Sequence, residues 1–259
     1  MKIQIFQTEI IEAEFKKNMQ NIEGLFEEHY NNADIVVIPE MWNNGYALSK
    51  LEEKADYLLE ESFKFIQKLA LHYNTNIVAG SVSNKKNKKI YNTAFSVSKE
   101  GKLINRRDKI HLVPMLDEHL YLSPGINEPN NFMISDIPAT QVVCYDLRFP
   151  EIVRDSVIKG AQIIFVVAQW TTQNLHHWRT LLQARAIENS SYVVACNSVG
   201  KVNHSSHKDN TYAGHSMIIN PNGEILVEGN DSPNVLECII NTDEVYKQRK
   251  KIPTLTDIK

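Results

Sequence analysis

The stretch that organises this chain covers residues 140–151 and has the sequence TQVVCYDLRFPE. Its apolar beginning predicts a short strand that breaks at Cys144. A helix is then expected to begin at or close to Pro150, where the missing N–H of proline costs nothing. This arrangement places a thiol at the rim of a sheet, beside a helix N-terminus that favours negative charge. A lone cysteine in such a place is more often an ordinary buried residue than a nucleophile, so other residues must supply the argument.

The composition is that of an ordinary globular protein. The chain has 259 residues, of which 42% are hydrophobic and 23% charged, and its formal net charge is -3. This charge argues against nucleic acid or an anionic membrane as the main partner. The length suits one large domain, and we expect residues 1–259 to form a single domain.

The cysteines and the N-terminus bear on the cellular compartment. Cys144, Cys196 and Cys238 are too widely spaced for a disulfide framework or a zinc knuckle, and reduced thiols are typical of cytosolic proteins. Residues 1–6 predict a strand rather than the apolar segment of a signal peptide. No apolar run approaches the length of a membrane span. We therefore expect a cytoplasmic protein.

Apolar periodicity alternates between helices and strands along the chain. Helical spacing marks residues 15–26, 58–73, 150–159 and 174–189. Strand patterns mark residues 3–5, 34–38, 76–83, 90–98, 103–105, 140–143, 162–168, 192–196, 217–219, 224–228 and 235–240. Residues 106–131 show little periodicity, and such a long loop is usually functional. The elements together predict an α/β fold with two sheets packed together and helices outside.

Three residues that follow strands or lie in the long loop can act together chemically: Glu40, Lys109 and Cys144. Taken singly, Glu40 is more often a solvated strand end and Lys109 a surface lysine. Taken together, a glutamate can accept the thiol proton, and a lysine can stabilise a thiolate and an oxyanion. The backbone N–H of Tyr145 can be a second oxyanion donor. This set suits amide hydrolysis through a thioester.

Motifs along almost the whole chain resemble the nitrilase superfamily of carbon–nitrogen hydrolases. They are PE at 39–40, DKIHL at 108–112, SPG at 123–125, CYDLRFPE at 144–151, ARAIEN at 184–189, GHS at 214–216 and PNGE at 221–224. The resemblance implies a four-layer α-β-β-α sandwich of two mixed sheets packed face to face, and usually a homodimer. It also implies that Glu40, Lys109 and Cys144 form the catalytic triad and that no cofactor is needed.

The same resemblance extends to a fourth polar residue. Asp117-Glu118-His119 is similar to the Gly-Glu-His segment of omega-amidase-like members, with Asp117 in place of the usual glycine. Glu118 is therefore expected to hold Lys109 and the substrate amide, and a surface acidic pair is the alternative. Tyr46 is expected to line the pocket, as an aromatic residue does in the family.

The tripeptide WTT at 170–172, followed by HW at 177–178, also resembles omega-amidases. Trp170, Thr171 and His177 are accordingly expected to contact the substrate, although packing at a helix end is an equal alternative for His177. Arg148 is expected to brace the turn after Cys144 by pairing with Glu151 or Glu188, without a catalytic role.

The predicted function is a thiol amidase that releases ammonia, most similar to omega-amidases, which hydrolyse the terminal amide of 2-oxo dicarboxylic acid monoamides. An amidase for deaminated glutathione or an N-carbamoyl amino acid, a true nitrilase, and a non-catalytic binding protein on the same fold are the alternatives. A papain-like protease would need a histidine base, and no such signature lies near Cys144. His204 and His207 supply two ligands at most, so we expect no metal site.

Overall fold

The structure is a computed structural model that describes residues 1–126, 128, 130–203 and 210–255. Within these residues the α-helices are α1 (Phe15–His29), α2 (Leu51–Lys54), α3 (Glu60–Tyr73), α4 (Glu118–Tyr121), α5 (Pro150–Ile158), α6 (Leu175–Asn189) and α7 (Asp243–Lys251). Short 3-10 helices cover Leu48–Lys50, Pro114–Leu116, Cys144–Arg148 and Thr172–Asn174. The strands are β1 (Lys2–Gln7), β2 (Ile35–Val37), β3 (Asp56–Tyr57), β4 (Asn76–Lys86), β5 (Lys89–Val97), β6 (Leu103–Asp108), β7 (Asn131–Ile134), β8 (Ile137–Val143), β9 (Ile163–Ala168), β10 (Tyr192–Asn197), β11 (Val199–Lys201), β12 (Thr211–Ala213), β13 (Met217–Ile219), β14 (Ile225–Glu228) and β15 (Asn234–Ile239).

Two mixed sheets form the centre of the fold. The first has the order β15-β1-β2-β4-β5-β6, with β3 beside β4, and the second has the order β14-β13-β10-β9-β8-β7. Strands β1, β2 and β4 run parallel in the first sheet, as do β8, β9 and β10 in the second. Strand β3 also pairs parallel with β4. The remaining neighbours pair antiparallel, and β11 and β12 form a separate two-stranded ribbon. The parallel strands therefore bring their carboxyl ends to one edge of each sheet.

The alternation of side chains along β2 explains the layers. Ile35 and Val37 face a core shared with the second sheet, whereas Val36 and the following Ile38 face a core shared with α1 and α3. Burying each of these aliphatic side chains contributes about 1.5–3 kcal/mol. The two sheets pack face to face through β1 on β10, β4 on β9 and β5 on β8. Helices α5 and α6 cover the second sheet, which confirms the predicted α-β-β-α sandwich.

Two predicted element bounds need correction. Helix α3 begins at Glu60 rather than near residue 58, because Leu58 and Leu59 adopt left-handed φ angles of 54° and 64° that a helix does not accept. Strand β6 continues to Asp108, and the following segment contains the short helix α4, so the stretch 106–131 is not one long irregular loop. The predicted start of helix α5 at Pro150 is confirmed, and the 3-10 helix Cys144–Arg148 precedes it.

The three cysteines are free thiols, as the sequence predicted. Across the residues that the structure describes, the helices are too short or too polar to cross a membrane.

Candidate active site

The candidate site lies where strands of both sheets end. Glu40 follows β2, Lys109 comes directly after β6, and Cys144 comes directly after β8. All three are buried. Carboxyl ends of parallel strands are the usual place for sites in α/β folds, because the strands stop there at a common edge.

A close backbone contact fixes the turn that carries Glu40. Gly80 has a φ of +53°, and a Cβ atom there would lie 1.8 Å from the carbonyl oxygen of Pro39. A side chain at position 80 would therefore displace the Pro39-Glu40 turn. On the other side of Glu40, the backbone N–H of Met41 donates to Ser81 Oγ at 2.9 Å. The irregular register of β4 near Gly80 thus serves to hold Glu40 in place.

The carboxylate of Glu40 accepts four hydrogen bonds. Its Oε1 atom accepts from Tyr46 Oη at 2.9 Å, Asn92 Nδ2 at 2.7 Å and Lys109 Nζ at 3.3 Å. Its Oε2 atom accepts from the backbone N–H of Gln169 at 2.8 Å. The prediction that Tyr46 lines the site is consistent with this contact. A carboxylate held by so many donors has one orientation, as a general base requires.

Lys109 is inaccessible to solvent and is neutralised by two carboxylates. Its Nζ atom donates to Glu118 Oε1 at 2.8 Å, to Glu40 Oε1 at 3.3 Å and to Tyr46 Oη at 3.1 Å. Burial alone lowers the pKa of Lys109, but the charges of Glu118 and Glu40 outweigh it and raise the pKa above its ordinary value. The lysine is thus a fixed positive charge.

The alternative of a surface acidic pair does not hold for Glu118, which is fully buried. Its Oε2 atom accepts from the backbone N–H of Val113 at 2.8 Å, while its Oε1 atom contacts Lys109. The preceding Asp117 has a φ of +54°, which turns the chain so that Glu118 points inward while Asp117 stays exposed. Glycine accepts this conformation most easily, and aspartate is one of the few side chains that tolerate it.

Cys144 has a backbone conformation that is rare for a residue with a side chain. Its φ is +48°, and it begins the 3-10 helix Cys144–Arg148. Burial, together with the charge of Glu40, raises the pKa of the Cys144 thiol well above its ordinary value, and the opposing charge of Lys109 does not offset this. The resting thiol therefore keeps its proton. The backbone N–H of Tyr145 lies in the first turn, where donors have no partner within the helix.

Asp146 joins two of the sequence motifs. It is buried, and its carboxylate accepts from the backbone N–H groups of Ile110 at 3.2 Å and His111 at 2.8 Å. The ring of His111 also contacts Asp146 Oδ1 at 3.0 Å and stacks on Phe149 with 3.5 Å between ring centroids. The chain after Lys109 is thereby tied to the turn after Cys144.

The substrate-contacting residues predicted from the WTT and HW segments lie together near Arg148. The guanidinium of Arg148 lies over the ring of Trp170, 4.6 Å from its centroid, and its nitrogens lie 3.5 Å from His177 Nδ1. His177 is exposed, and Thr171 pairs with Tyr212 through an isolated β-bridge. Arg148, Thr171 and His177 form a partly exposed rim, whereas Trp170 is buried like Cys144.

The predicted ion pair of Arg148 with Glu151 or Glu188 is wrong. Glu188 Oε1 instead accepts from Arg185 Nη1 at 2.8 Å, and Arg185 Nη2 donates to the carbonyl of Leu147 at 3.0 Å. Arg185 therefore braces the turn after Cys144. Within the described chain, Arg148 pairs with no carboxylate.

Sequence reasoning missed four polar residues at the site, namely Asn92, Asp146, Gln169 and Asn197. Asn92 lies inside β5, Gln169 follows β9 and Asn197 ends β10, where its Oδ1 accepts from the backbone N–H of Trp170 at 2.7 Å. For Gln169 and Asn197, the available signal was a polar residue at the end of an apolar strand. In the described ranges, no group of three His, Cys, Asp or Glu side chains could hold a metal ion, and His204 and His207 lie outside those ranges.

Comparisons with known proteins agree with this geometry. The family model of carbon-nitrogen hydrolases matches residues 2–250. A Staphylococcus aureus protein named hydrolase in agr operon is 50% identical over 262 residues, covering 100% of this chain and 98% of its own length. The 2-oxoglutaramate amidase of Bacillus subtilis is 39% identical over 257 residues, covering 99% of this chain and 97% of its own. The crystal structure of Saccharomyces cerevisiae Nit3, a member of branch 10 of the nitrilase superfamily, matches with a TM-score of 0.86 and 26% identity, covering 98% of this chain and 94% of that one.

Proposed function

The chain belongs to the carbon–nitrogen hydrolase family of the nitrilase superfamily and is a hydrolase that acts on amides, and within that family we propose that it is a cysteine amidase of the omega-amidase type. The observation that carries this proposal is the buried network in which Lys109 Nζ contacts both Glu40 and Glu118 next to Cys144. It contains a nucleophile, a base and a fixed positive charge.

In the first half of the reaction, Sγ of Cys144 attacks the amide carbon while the thiol proton passes to Glu40. The oxyanion of the tetrahedral intermediate lies between Lys109 Nζ and the backbone N–H of Tyr145. Glu40 then gives its proton to the amide nitrogen, the C–N bond breaks, and ammonia leaves a thioester on Cys144. The raised pKa of the thiol fits this order, because its proton leaves only as the attack proceeds.

In the second half, water replaces the sulfur. Glu40 accepts a proton from water as the water oxygen attacks the thioester carbon, and the same oxyanion donors act again. The C–S bond breaks, the sulfur recovers a proton, and the carboxylic acid leaves. Glu118 holds Lys109 throughout, so we assign it a positioning role.

The position of Arg148 favours a substrate that has a carboxylate at the end distant from the amide. Its guanidinium lies at the rim between Trp170 and His177, and it pairs with no carboxylate of the described residues. A fixed, partly exposed cation beside a nucleophile suits an anionic substrate end. A monoamide of a 2-oxo dicarboxylic acid has both the amide and that carboxylate, and the Bacillus subtilis relative is named for such a substrate.

Ammonia release from a panel of amides tests the assignment. The purified protein is assayed with 2-oxoglutaramate, deaminated glutathione and an N-carbamoyl amino acid, and Cys144→Ala is the control. We expect the highest kcat/KM with 2-oxoglutaramate. A preference for either other compound would assign a related amidase. A failure to trap any acyl adduct on Cys144 by mass spectrometry would favour a binding protein.

We also propose that the chain forms one domain, assembles as a homodimer and works in the cytoplasm. A single family model that matches residues 2–250 supports one domain, the three free thiols support a reducing compartment, and the homodimer follows from the family resemblance. One cooperative unfolding transition, a dimer mass by light scattering, and recovery in the cytosolic fraction are the expected results.

A further inference from the structure

The described part of the chain contains a buried hydroxyl that no protein atom satisfies. Tyr212, on strand β12, is 5% exposed, and its Oη atom has no hydrogen-bond partner among the described residues. Burying a hydroxyl without a partner costs free energy, so such groups in native proteins usually bind water or a ligand. Tyr46, the other tyrosine at the site, differs because its hydroxyl contacts both Glu40 and Lys109.

The backbone places Tyr212 against the segment that holds the general base. Tyr212 forms a β-bridge with Thr171, and the next residue, Ala213, donates its N–H to the carbonyl of Trp170 at 2.7 Å. The same segment begins with Gln169, whose N–H binds Glu40. Burial, followed by the nearby charges of Glu12 and Glu40, raises the pKa of the Tyr212 phenol, so it keeps its proton.

The nearby Glu40 does not need the Tyr212 hydroxyl. The carboxylate of Glu40 already accepts four donors. Asn92 Oδ1 is also buried without a partner, but the position of Asn92 is explained by its Nδ2 bond to Glu40. Tyr212 has a single polar atom, and that atom is unused. The Tyr212 hydroxyl is therefore a buried donor that no described residue accepts.

Resting on the proposed amidase function, we propose that Tyr212 is a specificity-determining residue whose hydroxyl donates a hydrogen bond to the 2-oxo oxygen of the substrate. The neighbours of Tyr212 along the site lead to this assignment. The amide carbon lies at the buried Cys144, and the far carboxylate lies at the partly exposed Arg148. Tyr212 borders Thr171, next to the Trp170 ring that Arg148 covers. The 2-oxo oxygen, which is adjacent to that carboxylate, is the substrate acceptor that we therefore assign to Tyr212.

The test compares two amides that differ by that one oxygen, 2-oxoglutaramate and glutaramate, in the wild type and in Tyr212→Phe. Loss of one hydrogen bond predicts that kcat/KM for 2-oxoglutaramate falls roughly tenfold, while kcat/KM for glutaramate changes less than about twofold. The inhibition constants of the product acids, 2-oxoglutarate and glutarate, give the same comparison without turnover. In Tyr212→Phe we expect the inhibition constant of 2-oxoglutarate to rise roughly tenfold and that of glutarate to stay unchanged.

A matched control separates substrate contact from protein stability. Tyr192 is a buried tyrosine whose hydroxyl does have partners, the carbonyl of Asn241 and the carboxylate of Glu244. Tyr192→Phe should lower Tm by a few degrees without changing the ratio of kcat/KM for 2-oxoglutaramate to kcat/KM for glutaramate. Tyr212→Phe should instead leave Tm equal or higher.

Three outcomes overturn the inference. They are an equal loss with both amides, no loss with either, and a fall in Tm for Tyr212→Phe that matches Tyr192→Phe. A wild type that hydrolyses neither amide would instead contradict the proposed function, and this inference with it.

Discussion

The Nζ atom of Lys109 lies 2.8 Å from Oε1 of Glu118, and neither side chain is accessible to solvent. The second carboxylate oxygen of Glu118 is bound to the backbone N–H of Val113. Glu118 therefore connects the lysine of the site to the segment that follows it. A displacement of this carboxylate would move the positive charge of Lys109, which we propose stabilises the oxyanion.

We expect Glu118→Gln to lower kcat about ten- to hundredfold, because even a 1 Å misplacement of a catalytic group can have an effect of that size. Glutamine has a single acceptor oxygen, so either Lys109 Nζ or the Val113 N–H would face an amide NH₂ group. The mismatch should also destabilise the fold by about 1–3 kcal/mol. Ammonia release and thermal unfolding measure the two effects. An unchanged kcat would exclude a role in positioning Lys109.

The adjacent substitution Asp117→Gly is the matched control. Asp117 is exposed and has a φ of +54°, which glycine adopts without the steric cost that a Cβ atom imposes. We expect a gain in stability of about 0.5–1 kcal/mol with an unchanged kcat. A lower Tm would show that the Asp117 carboxylate makes a stabilising contact.

The pH dependence of thiol alkylation tests the environment of Cys144. Its pKa is raised by burial and by Glu40, so the thiolate forms only at alkaline pH. The rate of alkylation by iodoacetamide should therefore rise with pH and reach its midpoint above the ordinary thiol value of about 8.5. Peptide mass spectrometry resolves Cys144 from Cys238, which is partly exposed and provides an internal reference.

Substitution of the base should affect alkylation and hydrolysis in opposite directions. Glu40→Gln removes a negative charge that raises the pKa of Cys144, so the alkylation midpoint should move to lower pH while Cys238 is unaffected. Amide hydrolysis should fall by at least about a hundredfold, because no group remains to transfer the proton. A midpoint that stays in place would contradict the electrostatic coupling between Glu40 and Cys144.

Arg148→Met tests the proposed carboxylate contact. A charge-assisted hydrogen bond contributes about 1.5–3 kcal/mol, so kcat/KM for 2-oxoglutaramate should fall about ten- to hundredfold. Butyramide, which has no carboxylate, should be affected less than about twofold. Arg154→Met is the control, because Arg154 Nη1 donates to the carbonyl of Glu188 at 2.8 Å and is expected to have no substrate contact. Equal losses with both amides would mean that Arg148 only supports the rim.

The layers of the fold could be predicted from apolar periodicity, because strands such as β2 are buried on both faces and consist of aliphatic residues. The end of strand β6 at Asp108 could not be predicted, because Arg106 and Arg107 interrupt its apolar pattern. Arg107 is nevertheless buried, at the cost of a lowered pKa. Burial of a charged side chain is a tertiary effect that local sequence does not reveal.

The candidate site divides in the same way. Glu40, Lys109 and Cys144 could be named because their chemistry is complementary and their motifs resemble a known family. The contacts of Arg148 could not be predicted, because Glu188 pairs instead with Arg185, which lies three residues earlier in helix α6. Tyr212 could not either, since an aromatic residue in a strand looks like ordinary core until its hydroxyl is found without a partner.

The last prediction concerns the strained backbone of Cys144. Neither Cys144→Ala nor Cys144→Gly has a nucleophile, so neither should release ammonia, and the two differ in whether a Cβ atom occupies a position with φ of +48°. Because a Cβ atom is costly there, the glycine variant should be the more stable by about 1 kcal/mol, or about 2–4 °C in Tm.

Cys196 lies in β10 and gives the matched comparison, since glycine in an extended strand is less stable than alanine. The order of stability should therefore reverse at this position, so that Cys196→Ala has a higher Tm than Cys196→Gly. The same order at both positions would contradict local strain at Cys144. Opposite orders would mean that the protein holds Cys144 in an unfavourable backbone conformation. The turn after it is fixed by hydrogen bonds that the backbone N–H groups of Ile110 and His111 donate to the Asp146 carboxylate.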